Sequence, residues 1–146
     1  MIRKITNDDL TSVMAIWVKG NFKGNSFIEK DYWLEIYNET KEKFMDVYDT
    51  YVFVEENVIK GFVSIKDKKI KAIYVSPSFI RKGVGKKLIN FCKDKYDTLI
   101  LEVYEKNINA ILFFSNLGFK NKKIDIEKIH NEKIFIMEWN LEEKGI

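Results

Sequence analysis

The chain has 146 residues, of which 46% are hydrophobic and 14% aromatic, enough for one packed domain spanning residues 1–146 and too much for a disordered chain. Its formal charge of +3, with Lys and Glu scattered along the chain, calls for neither nucleic acid nor a membrane surface as partner. No apolar run is long enough to span a bilayer, Met1 to Asp9 lacks the apolar core of a signal peptide, and the single Cys92 cannot close an internal disulfide, so a cytoplasmic protein is expected, as a monomer or homodimer.

Ile2 to Ile5 reads as a short strand, and Thr6-Asn7-Asp8 as the N-cap of a helix whose apolar face is Leu10, Val13, Met14, Trp17 and Val18. The pattern breaks at Gly20-Asn21-Phe22-Lys23-Gly24-Asn25, which predicts a loop and the first place to expect function. A second helix is predicted from Glu29 to Met45, with Tyr32, Trp33, Ile36, Tyr37 and Phe44 mostly at helical spacing. Aromatic stripes of this kind are ordinarily core. The alternative for Trp17 and Trp33 is part of a substrate pocket, because Asn21 and Phe27 lie between them.

From Tyr51 the pattern turns to strands. Tyr51 to Val54 and Val58 to Ile65 are joined at Glu55-Glu56-Asn57, and Gly61 marks a bulge or close packing. Ile70 to Val75, rich in β-branched and aromatic residues, forms a third strand that ends near Ser76, because Pro77 cannot donate to a ladder. Val84, Leu88, Cys92 and Tyr96 then recur every fourth residue, the mark of a half-buried helix with Cys92 as a core thiol. Thr98 to Tyr104 is a further strand, parallel to Ile70–Val75 because a helix separates the two. Asn107 to Asn116 is a short helix closed by Gly118, and Ile124–Ile129 with Lys133–Trp139 forms a hairpin around His130-Asn131-Glu132. His130 has no cysteine or second histidine near it, so it reads as a surface turn residue and no metal is predicted. The order of elements predicts one α+β domain on a mixed, mostly antiparallel sheet.

The chemistry is concentrated between Val75 and Leu88. Gly83 and Gly85 let a ligand approach the backbone without a Cβ in the way, and the free N–H groups of the helix start favour an anion. A nucleotide P-loop needs Ser or Thr after its lysine, but Lys87 follows Lys86; a dinucleotide fingerprint needs a third glycine, where Leu88 stands. A solvated basic turn capping an ordinary helix is the plain alternative. Val75-x-Pro77 followed by Arg81-x-Gly83-x-Gly85 resembles the pyrophosphate-binding motif of the GNAT superfamily of acetyl-CoA-dependent N-acetyltransferases. The segment from Leu101 to Phe119, with Asn107-x-x-Ala110, the aromatic pair Phe113-Phe114 and Gly118-Phe119, is similar to the downstream strand and helix of that superfamily.

The resemblance implies a three-layer α/β/α arrangement whose sheet splays between Ile70–Val75 and Thr98–Tyr104, with acetyl-CoA as co-substrate in the gap and an amine as acceptor. By the same carry-over, the backbone at Ile73, Tyr74 and Val75 would lie against the pantetheine arm, and Arg81, Lys82, Gly83, Val84, Gly85 and Lys86 would hold the pyrophosphate. Asn107 would contact the far side of the arm. Glu102 stands where the ribosomal-protein alanine acetyltransferases of this superfamily carry their catalytic glutamate. In an apolar strand run its carboxyl is expected to be desolvated and nearer the range of a useful base, the alternative being a solvated group or a lysine partner.

One position departs from the family. Where most members carry the tyrosine that protonates the leaving sulfur, this chain has Phe114, which has no proton to give. Three readings follow: another hydroxyl, Tyr104 or Tyr74, reaches the sulfur; the thiolate leaves unassisted; or the protein binds acetyl-CoA without transferring its acetyl group.

Overall fold

The computed structural model describes residues 1–142. A seven-stranded sheet runs in the order β1-β2-β3-β4-β5-β7-β6, and all its pairings are antiparallel except that of β4 with β5. The strands are β1 Ile2–Lys4, β2 Asp49–Glu55, β3 Val58–Lys66, β4 Lys69–Val75, β5 Thr98–Tyr104, β6 Lys120–Glu127 and β7 Glu132–Asn140. The helices are α1 Leu10–Gly24, α2 Lys30–Glu35, α3 Tyr37–Glu42, α4 Val84–Lys95 and α5 Ile108–Asn116.

Alternation along the strands separates two cores, because successive side chains of a strand point to opposite faces. Leu99, Leu101 and Val103 of β5 pack with Val84, Leu88, Ile89 and Cys92 of α4 and with Phe114 of α5. Val52, Phe62 and Ala72 pack on the other face with Val13, Met14 and Trp17 of α1, Trp33 of α2 and Phe44. The result is the expected three-layer arrangement. Burial raises the Cys92 thiol to about 12, as a core thiol requires.

The helix predicted to stop at Gly20 continues to Gly24. Its continuation is held by long-range packing: Asn21 is 1% exposed, its amide donates to the Trp17 carbonyl at 3.0 Å, and a Cβ on Gly20 would come within 2.4 Å of the Tyr74 ring. The second predicted helix is present but broken at Ile36, whose backbone sits at φ −92° and ψ 4°, and it ends in a wide π-turn at Lys43–Val47. That turn directs the Phe44 carbonyl at the buried Thr50 hydroxyl, 2.7 Å away.

Near the start of the chain, Arg3 forms a two-pronged pair with the buried Asp9 carboxylate, at 2.7 and 3.0 Å, and the Thr6 N–H also donates to Asp9, at 2.8 Å. The Arg3 hydrogen bonds are the main reason the Asp9 carboxyl lies below the usual carboxylate range. A depressed folded-state value means that this contribution is complete above the unfolded value, about pH 4, and is lost as pH falls through the folded one. Asp9→Asn should therefore lower stability by about 1–2 kcal/mol at neutral pH. In urea melts the gap from wild type should close in acid; a constant gap would rule out the charge as its cause.

Candidate active site

β4 and β5 lie parallel but stay together only at their start. Register pairing between them is confined, among the described residues, to Lys69↔Ile100, next to the bond from the Ile100 N–H to the Lys68 carbonyl. The cause lies in β4, where Ser64↔Ala72 and Ile65↔Ile70 leave Lys71 as an extra residue. A bulge bends its strand and increases the local twist, and here it turns the rest of β4 away from β5. The β5-facing edge of β4 around Ile73, Tyr74 and Val75 is left without a strand partner, a row of backbone groups open to an extended ligand.

At the end of β4 the chain makes a short 3-10 turn at Pro77–Phe79 and then the basic loop. Arg81 and Gly83 both take positive φ, 67° and 82°, and Gly83 caps α4, whose first helical bond runs from the Lys87 N–H to the Gly83 carbonyl. The preceding N–H groups of Val84, Gly85 and Lys86 have no intrahelical acceptor and gather at the positive end of the helix. Arg81, Lys82 and Lys86 are exposed around them. The two glycines have different tasks. Gly83 is set by its left-handed backbone, with nothing within 4 Å of a Cβ built there. Gly85 is buried, and its Cβ would come within 2.9 Å of the Phe113 ring, so packing of α5 places a constraint of its own on this position.

On the helical face of α1 to α3, the opening continues into a groove of about 330 Å³ lined by Trp17, Asn21, Trp33, Tyr74, Glu102 and Phe114 among others. A chain of polar side chains crosses it. The Tyr74 hydroxyl donates to Asn21 at 2.9 Å, Asn25 donates to the same oxygen at 2.8 Å, and Asn107 donates to Asn25 at 3.2 Å. Asn107 also caps α5 by accepting from the Ala110 N–H. Its amide thus ties α5 to α1, a task that its expected contact with a ligand did not suggest. Burial raises the Tyr74 hydroxyl to about 12 against the opposing bond to Asn21.

Glu102 lines the groove but is exposed. The expected desolvation is absent because alternation along β5 buries Leu101 and Val103 in the opposite core and turns Glu102 to the open side. Tyr104, two residues on, is tied elsewhere: its hydroxyl donates to Glu127 at 2.6 Å. Burial first, then that bond, pushes the Tyr104 hydroxyl well above the usual phenol range. Burial would raise Glu127 too, but the hydrogen bonds from Tyr104 and His130 outweigh it and hold the carboxyl low. His130 is indeed in the hairpin turn, yet its ring pairs with Glu127 and meets the Tyr32 ring edge-on, with centroids 4.4 Å apart. Glu127 was not singled out from sequence; the only signal was an acid three residues before the lone histidine. Phe114 is 7% exposed and packs between Phe113 and Phe119. Among the described residues no cluster of three His, Cys, Asp or Glu side chains is placed to hold a metal, and no helix is long and apolar enough to cross a membrane.

An unpaired strand edge leading from an anion cradle to a groove with an open carboxylate is the layout of a transferase that takes an extended phosphorylated donor. A family model described as an acetyltransferase (GNAT) domain matches residues 22–140. The chain therefore belongs to the GNAT acetyltransferases, which move the acetyl group of acetyl-CoA to an amine. It is 31% identical over 120 residues, 82% of each chain, to the peptidyl-lysine N-acetyltransferase YiaC of Escherichia coli. The fold matches the solution structure of apo YjaB from Escherichia coli with a TM-score of 0.85 at 20% identity, covering 95% of this chain and 96% of that one. It also matches the PaiA N-acetyltransferase of Thermoplasma acidophilum, in complex with coenzyme A, with a TM-score of 0.75 at 21% identity, covering 96% and 98%.

Proposed function

We propose that this acetyltransferase acts on the ε-amine of lysine in peptides or proteins. The observation that carries the reading is the parting of β4 from β5 after Lys69↔Ile100, with the cradle at one end of the opening and Glu102 at the other. The choice of lysine draws on the likeness to a peptidyl-lysine N-acetyltransferase. A cytoplasmic setting is in keeping with the lone buried thiol of Cys92.

In this reading the free edge of β4 at Ile73, Tyr74 and Val75 pairs with the pantetheine arm, and the N–H groups of Val84, Gly85 and Lys86 receive the pyrophosphate, with Arg81, Lys82 and Lys86 supplying charge. Glu102 takes a proton from the acceptor ammonium, the freed amine attacks the thioester carbonyl, the nitrogen gives up its second proton to solvent, and the carbon–sulfur bond breaks to leave the amide and the thiolate of coenzyme A. Neither candidate hydroxyl is free to protonate that sulfur, since Tyr74 donates to Asn21 and Tyr104 to Glu127. The thiolate departs unassisted and takes its proton from solvent.

The reading is tested by incubating the protein with acetyl-CoA and a panel of lysine peptides and small amines, following free coenzyme A and the mass of each acceptor. Acetylation of small amines alone would overturn the lysine assignment. The cradle has its own test. Gly83→Val places a β-branched side chain at φ 82° and should weaken coenzyme A binding by about ten-fold or more, since it displaces charge-assisted hydrogen bonds. Arg81→Ala and Lys86→Ala should be milder, and their effects should shrink at high salt, because exposed charges are screened. Unchanged affinity of the Gly83 variant by calorimetry would remove the pyrophosphate from this loop.

A further inference from the structure

Beside the groove lies a second depression of about 190 Å³, and Lys71 and Glu102 line both. Ladder pairs set its floor: Ile100 stands opposite Lys69 and Ile136 opposite Glu102, and both isoleucines are half-buried. Its charged wall is Lys69 and Lys71, both exposed at the start of β4. Among the described residues neither ammonium forms an ion pair; that of Lys71 lies 5.8 Å from the centre of the Tyr48 ring, itself part of the groove lining. The remaining charges nearby are engaged. Lys43, which also lines the groove, pairs with Glu39 at 2.9 Å, and Glu138, opposite Ile100 on β7, accepts from Asn140 at 3.0 Å. Glu102 is thus the one carboxylate that lines either cavity, beside two lysines that have no carboxylate of their own among the described residues.

We infer that Lys69 and Lys71 form a subsite for a carboxylate, so that the enzyme prefers a lysine with an aspartate or glutamate close to it in the peptide. The inference rests on the reading of the groove as the site of an acceptor lysine. Because Glu102 borders both cavities, a lysine that reaches it has the second depression alongside. Its ammonium also meets two like charges there, a repulsion that a carboxylate carried by the same peptide offsets. The two lysine side chains are exposed and flexible, so their ammonium groups can swing toward such a carboxylate. The apolar floor of Ile100 and Ile136 suits the methylenes of a glutamate.

The test is a panel of capped peptides, each with one lysine and a single Glu or Gln at one of the positions around it, assayed with saturating acetyl-CoA at low salt. At the best position Glu should lower KM about five-fold relative to Gln, the upper end for an exposed ion pair. The preference should shrink at high salt, because these charges are screened. Both measurements use wild type and need no variant to fold. In the double variant Lys69→Gln, Lys71→Gln the preference should disappear, and in Lys69→Glu, Lys71→Glu it should invert in favour of peptides with Arg at the same position. Equal KM for the Glu and Gln peptides in wild type, or a Glu preference that survives in the double Gln variant, would overturn the inference while leaving lysine transfer intact. Transfer to small amines and to none of the peptides would instead overturn the lysine reading, and the inference with it.

Discussion

Glu102→Gln is expected to lower kcat on a lysine peptide by about two powers of ten at neutral pH, the lower end of what a positioned general base contributes. Glu102 is exposed on the groove side of β5, so the substitution buries nothing new and should leave the melting temperature nearly unchanged. The rise in KM should be small, because an exposed carboxylate attracts the acceptor ammonium through screened charge. The mechanism also sets the direction of the pH response. A lysine amine is almost wholly protonated at neutral pH, so without a base the reaction waits for the small neutral fraction, which grows about ten-fold per pH unit. The rate of the variant should keep climbing with pH after that of the wild type has flattened, until the two converge. A variant within about two-fold of wild type across that range would show that water, rather than Glu102, removes the proton.

The second large effect is a gain. Phe114→Tyr should raise kcat about ten-fold with KM within about two-fold, since the new hydroxyl acts on the departing sulfur in the transition state and hardly touches bound substrate. The geometry favours this outcome because Phe114 lines the groove and the two other hydroxyls near it are already committed to Asn21 and Glu127. Tyr104→Phe is the paired measurement. It should leave kcat within about two-fold and lower stability by about 1 kcal/mol, because Glu127 loses a donor and keeps only His130. A large loss of kcat in Tyr104→Phe would instead make Tyr104 the acid, and would require its bond to Glu127 to break when substrate binds. If Phe114→Tyr is neutral and Tyr104→Phe harmless on a good acceptor, sulfur protonation does not limit turnover at all.

The elements legible in the sequence are those governed by neighbours in the chain. Pro77 ends β4 because it cannot donate, Gly83 is demanded by a backbone conformation that other residues resist, and the four-residue recurrence of Val84, Leu88 and Cys92 marks the buried face of α4. The parallel pairing of β4 and β5 followed from the helix between them, and the resemblance of two local motifs was enough to place the family. What the tertiary structure decided depends on partners far away in the chain. Asn21 looked like a loop residue because Gly20 and Gly24 flank it, but its partner Tyr74 lies 53 residues on and keeps the helix intact. Gly85 is further constrained by the Phe113 ring of α5, which no local pattern reveals. Alternation marked Glu102 as facing away from Leu101, but only the bulge at Lys71 and the parting of β4 from β5 show that its side is open to solvent. The unpartnered indole of Trp33 belongs to the same group. Periodicity can bury a tryptophan, but whether its N–H finds an acceptor is settled by everything folded around it.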